Sequence, residues 1–183
     1  SWLTEGYTSY LENRIMEAIY GTKRAQQEAA LSFDEMEKAL EEEGMTGANT
    51  RLHLAPAEAT PDGGVSGIVY DKGAIFLRTI EKIVGRERLD AWLRSYFDRY
   101  AFQPMTSAKF LEDFRQNVVK GDKDLEARLM LDQWVYQPGL PPNVARPDPA
   151  AFARRLARAL ERGLVLVASP VSEEGSEGNA RTG

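Results

Sequence analysis

Two short stretches of the sequence set reactive side chains in surroundings where they can do chemistry. The first is Trp2-Leu3-Thr4-Glu5-Gly6-Tyr7, in which the Glu5 carboxylate stands among aromatic and aliphatic residues near the start of a helical pattern. Charged groups are rarely buried alone, so an acid on an apolar helix face calls for a salt bridge, a metal ion or exposure to water. The residues by themselves leave these open, and composition favours the salt bridge or exposure. Glu12 lies two turns further along the same face, about 10 Å away by helix rise, too far for both carboxylates to hold one ion easily. If Glu5 binds a metal, Glu12 supports that ligand from behind or is structural. The second stretch is Val69-Tyr70-Asp71-Lys72-Gly73, which opens a helix directly after a glycine-rich loop. A neutral phenol is a good donor to an oxyanion. Half-buried packing at a helix start is the plainer alternative for Tyr70.

Other sites are limited by composition. There is no cysteine, which excludes disulfides and thiolate metal sites and leaves His, Asp and Glu as strong ligands. The single histidine, His53, falls in the strand-like run Arg51-Leu52-His53-Leu54 and reads as a surface or packing residue. Asp62, in Pro61-Asp62-Gly63-Gly64, is an ordinary turn former. The 183 residues suffice for one domain with a core. Lys and Arg number 23 against 28 Asp and Glu, a net charge of -5, so nothing here points to nucleic acid. No apolar run approaches the roughly 18 to 20 residues of a membrane-spanning helix.

The elements that must position these residues are helices. Leu3, Tyr7, Tyr10, Leu11, Ile15, Ala18 and Ile19 recur at three- and four-residue intervals, predicting a half-buried helix to about Tyr20 that Gly21 stops. A second helix is expected from Thr22 to Glu43, ended by Gly44, with Leu31, Met36 and Leu40 inside and Glu41-Glu42-Glu43 as a solvated face. Met45 to Gly67 reads as a structured loop with at most one short edge strand around Arg51 to Leu54. Helical spacing returns in Tyr70–Val84, Arg86–Tyr100, Ser107–Val118 and Lys123–Tyr136. Pro138-Gly139-Leu140-Pro141-Pro142 halts it. A further helix, Pro149 to Arg162, is expected with arginines along much of one side, and the Ser-, Glu- and Gly-rich stretch from Ser169 onward is expected to be disordered.

At this point the two stretches resemble a known family. Trp2-Leu3-Thr4-Glu5-Gly6-Tyr7-Thr8-Ser9-Tyr10-Leu11-Glu12 is similar to the segment of gluzincin zinc aminopeptidases, peptidase family M-one, that follows their His-Glu-x-x-His motif. Val69-Tyr70-Asp71-Lys72-Gly73-Ala74 is similar to their Tyr-Glu-Lys-Gly motif. Trp134-Val135-Tyr136-Gln137-Pro138-Gly139-Leu140-Pro141-Pro142 resembles the motif that closes the catalytic domain in the leukotriene-A-hydrolase-like branch. The three occur in family order and spacing, and the likeness runs from Ser1 to about Asn143.

The resemblance implies a mainly α fold, the helical lobe of a thermolysin-like metallopeptidase catalytic domain. It implies that residues 1–143 are the C-terminal helical part of that domain, with a linker and Arg-rich helix over 144–163 and a tail over 164–183. It implies that Glu5 is a zinc ligand, that Tyr70 hydrogen-bonds the tetrahedral intermediate, and that Asp62 lines the substrate channel. One zinc ion and a short peptide substrate follow from it, and the implied activity is removal of N-terminal residues. The sequence has no His-Glu-x-x-His, so two zinc ligands and the general base of the family are absent from it. The start, Ser1-Trp2-Leu3-Thr4-Glu5, carries no initiator methionine and no signal pattern, and a missing upstream segment is the expectation. The fragment alone is expected to be inactive. Val65 stands where the hydrolase branch has a second tyrosine, which favours an aminopeptidase over a small-epoxide hydrolase at the same zinc. A helical interaction module without enzymatic activity is the other alternative. A cytoplasmic location is expected, with a periplasmic one open.

Overall fold

A computed structural model describes residues 2–54, 67–148, 153 and 157. Helices α1 (Trp2–Tyr20) and α2 (Thr22–Glu43) are joined at Gly21, whose φ of +83° lets the chain turn at once into the next helix. A 3-10 turn, Ala48–Thr50, follows. Then come α3 (Ile68–Val84), α4 (Arg86–Arg99), α5 (Ser107–Phe114), a π turn over Arg115–Val119, α6 (Lys123–Leu129) and α7 (Leu131–Tyr136). The expected all-helical architecture is what the described residues show.

Helix α3 is the axis of the core. Ile68, Val69, Ala74, Ile75, Phe76, Leu77 and Ile80 are all buried, because α1 covers one side of it while α4 to α7 cover the other. Aromatic rings fill the junction: Trp2 packs on Phe76 and Phe110, and Phe76 stacks on Trp134 at 5.3 Å. Asp113, buried at the centre of the second layer, accepts from the Trp92 indole (2.7 Å), from Arg99 (2.7 and 3.1 Å) and from the Tyr100 hydroxyl (3.2 Å). Its charge is thereby matched where solvent cannot reach it.

The structure corrects the expectation at three places. The helix expected over Lys123–Tyr136 breaks at Met130, which is left-handed (φ +52°). The reason comes from across the chain: the Asn143 amide donates to the carbonyls of Arg128 (2.8 Å) and Leu129 (3.1 Å), and its oxygen accepts from the Trp134 indole (2.9 Å). The carbonyls freed by the break are thus satisfied, as helix ends require. Arg51–Leu54 is not a strand. The His53 N–H donates to the carbonyl of Val135 in helix α7 (3.0 Å), and a helix offers no ladder to continue. Finally, the outer half of the apolar stripe on α1 is not half-buried: Leu11, Ile15 and Ile19 are 39%, 58% and 65% exposed. Tyr7 packs on Tyr96, Phe97 and Phe110 of α4 and α5 and Tyr10 bonds Glu81 of α3, and the stripe is left turned outward. Of the expected Pro149–Arg162 helix, Ala153 and Ala157 are helical. The remainder of it, and the expected disordered tail, lie outside the described residues.

Candidate active site

Helices α1 and α3 run side by side in the same direction. Gly6 meets Gly73, Tyr10 reaches Glu81, and Glu17 reaches Arg86 just beyond the end of α3, so residue numbers rise together along both. The crossing at the two glycines is a backbone contact: a Cβ built on either would lie 2.8 Å from the other's Cα. Glu5 and Tyr70 flank this crossing. Both helices therefore present their N-terminal ends to one place, and the partial positive charge of each favours an anion there.

The Glu5 side chain, half-buried in the first turn of α1, meets Tyr70 in the first turn of α3. The Tyr70 hydroxyl donates to the Glu5 carboxylate, and that hydrogen bond, followed by burial and by the Glu5 charge, holds the phenol above its usual pKa. The ring is 38% exposed, so the pair opens to solvent on one side. A carboxylate and a protonated phenol in contact make one acceptor for a cation and one donor for an oxyanion, side by side.

Behind Tyr70 the fold holds a lysine with no carboxylate against it among the described residues. Lys72 is completely buried, and its ammonium donates to the carbonyls of Thr50 (2.7 Å) and Gln137 (3.1 Å). Burial pushes its pKa down to about 7. Thr50, also fully buried, donates to the Gly47 carbonyl (2.7 Å) and accepts from the Gly139 N–H (2.9 Å). One buried cluster thus pins the turn before the loop, the start of α3 and the Gln137–Gly139 segment to each other. The neighbouring Asp71 faces α2, where burial and then the Glu35 charge raise its pKa to about 6.

The three motif-bearing segments converge, then, with Glu5 against Tyr70 and the Trp134–Pro142 run locked to α3 through Lys72. Other expected site residues stand apart. Glu12 is exposed and makes no hydrogen bond to either residue among the described ones. Asp62 lies outside the described residues. His53 is exposed, with Nδ1 3.2 Å from the Ser107 hydroxyl and its ring edge-on to Tyr136, which fits a packing role. The Trp2 indole can only donate to that Ser107 oxygen (2.9 Å), so the Ser107 proton is left to bond Nδ1. Among the described residues no group of three His, Cys, Asp or Glu side chains is placed to hold a metal. Glu5 can supply one ligand, and its donor chemistry suits zinc. Sequence reasoning missed Lys72 and the Gly6–Gly73 crossing. A lysine one turn before Ile75 and Phe76, on the buried face, was the available signal.

The Peptidase family M1 domain matches residues 1–134. Leucine aminopeptidase 2 of Coccidioides immitis is 31% identical over 143 residues, covering 77% of this chain and 23% of that protein. The Neosartorya fischeri protein of the same name is 33% identical over 150 residues, with 80% and 24% covered. Native leukotriene A4 hydrolase from Saccharomyces cerevisiae superposes with a TM-score of 0.73 at 27% identity, over 90% of this chain and 27% of that one. The chain thus spans about a quarter of the length of the relatives it matches.

Proposed function

Since this chain belongs to peptidase family M1, we propose that it is the part of a zinc aminopeptidase that supplies Glu5 as a metal ligand and Tyr70 as the donor to the tetrahedral oxyanion. The observation that carries the reading is the Tyr70–Glu5 hydrogen bond, which joins residues from two separate motifs at the shared N-terminal ends of α1 and α3. The remaining protein ligands and the general base come from outside this sequence. The chemistry a bound zinc ion supplies is polarisation of the scissile carbonyl and activation of water.

The chain's own residues do the rest. Glu5 holds a negative charge where the metal must sit, stabilised by the N-terminal ends of two helices. Tyr70 keeps its proton, because contact with the Glu5 carboxylate disfavours the phenolate, and so remains a donor as negative charge grows on the carbonyl oxygen. Lys72 and Thr50 hold the start of α3 in place, so that donor and carboxylate keep their separation. The aminopeptidase reading is preferred over epoxide hydrolysis because the fungal relatives are leucine aminopeptidases.

The test is made in an active enzyme carrying this sequence. Glu5→Ala loses the zinc, whereas Tyr70→Phe keeps it and lowers kcat by about 10²- to 10³-fold. Full zinc content in Glu5→Ala overturns the ligand assignment, and wild-type kcat in Tyr70→Phe overturns the oxyanion role.

A further inference from the structure

A second feature of α1 and α3 lies well away from Glu5. Between the later turns of these helices and the start of α2 is a cavity of about 260 Å³, bordered by Ala145–Asp148. Ala25, Ala29 and Ala145 leave the space open, and charged side chains line it. It begins roughly 8 Å along α1 from Glu5, at Tyr10, and reaches about 18 Å, at Glu17, by helix rise.

Four guanidinium groups reach this cavity, and three are committed. Arg14 pairs with Asp90, Arg86 with Glu17 and Glu81, and Arg146 with Glu37 (2.6 Å). Arg78 has no hydrogen bond or ion pair among the described residues. The carboxylates nearest to it in charge are already engaged at both oxygens. Glu81 accepts from Arg86 (2.7 Å) and from the Tyr10 hydroxyl (2.5 Å), and Glu17 accepts from Thr22 (3.1 Å) and Arg86 (2.8 Å). Asp148, at the edge, has an interaction of its own. Arg78 is half-buried at the cavity wall, and that partial burial disfavours its charge. A partly desolvated guanidinium with no anion beside it keeps its donors open to one. Its planar fork matches the two oxygens of a carboxylate or phosphate.

We propose that this cavity is an oxyanion-binding site anchored by Arg78, taking a carboxylate or phosphate group. Arg146, which commits one nitrogen to Glu37, and Lys82 at the exposed edge add positive charge beside it. The site is separate from the Glu5–Tyr70 pair and does not depend on the reading of that pair.

The test is isothermal titration of the 183-residue protein with inorganic phosphate and, separately, with acetate, at neutral pH and low ionic strength. Saturable one-to-one binding of phosphate, weakened about tenfold or more in Arg78→Met and partly recovered in Arg78→Lys, supports the site and identifies a phosphate ligand. The same pattern with acetate alone supports it and identifies a carboxylate. No saturable binding of either anion, or binding that Arg78→Met leaves unchanged, overturns it. Arg78→Met removes an unpaired charge, so its Tm in anion-free buffer is expected to be no lower than wild type. A lowered Tm with loss of helical signal shows that Arg78 has a structural acceptor, and overturns the premise.

Discussion

The hydroxyl of Tyr70 donates to the carboxylate of Glu5 from a different helix, and this bond is the main reason its phenol titrates above the usual value of 10.0. In Glu5→Ala the midpoint of Tyr70, followed by NMR of ring-labelled tyrosine, is expected to move down toward that of a free phenol. A midpoint that stays where it was means the two side chains do not touch in solution.

Lys72 makes stability depend on pH in a stated direction. Its pKa is 10.5 when unfolded and about 7 in the fold, so between these values the unfolded chain holds a proton that the folded chain lacks. Stability therefore rises with pH from about 7 upward, by at most about 1.4 kcal/mol per pH unit from this group. Urea unfolding at pH 7 and pH 9 checks it. Lys72→Met should lack this rise, and an equal rise in both proteins assigns it elsewhere. Asp71, raised to about 6, has finished titrating below this window.

Gly73→Ala places a methyl group 2.8 Å from the Gly6 Cα. Backbone cannot give way as a side chain can, so α1 and α3 must separate. A loss of about 1 to 3 kcal/mol is expected, larger than the roughly 1 kcal/mol alanine gains over glycine inside a helix. The Tyr70 midpoint should fall with it. A Gly73→Ala protein as stable as wild type would show that the crossing is looser than described.

Tyr7 is buried with its hydroxyl unpaired among the described residues, and burial first, then the neighbouring Tyr96 phenol, raises its pKa. Removing that oxygen removes a desolvated donor, so Tyr7→Phe should be neutral or stabilising by up to about 1 kcal/mol. A loss beyond 1 kcal/mol in thermal unfolding reveals an acceptor for Tyr7.

Where the chain turns at glycine the sequence was readable. Gly21, Gly44 and Gly85 end helices with positive φ, a conformation that side chains resist. Met130 was not readable, because methionine favours helices and the break is imposed by Asn143 from across the chain. The outward stripe of Leu11, Ile15 and Ile19 misled for a related reason: periodicity reports an apolar face without saying whether this chain covers it. In the site, Glu5 and Tyr70 were legible only through the motifs they belong to, since a lone acid and a lone tyrosine have commoner explanations. Lys72 escaped because a charge that two distant carbonyls satisfy has no local signature.

The Asn143 contacts bear on where this polypeptide can be cut. The family match ends at residue 134, yet Asn143 closes the break between α6 and α7, the Ala145 N–H bonds the Thr79 hydroxyl (3.0 Å), and Arg146 lies over the Phe33 ring. A protein trimmed to 134 would bare the carbonyls of Arg128 and Leu129 and strip the Trp134 indole of its acceptor. The shortest version to keep these contacts extends to Arg146, past the last residue of the match.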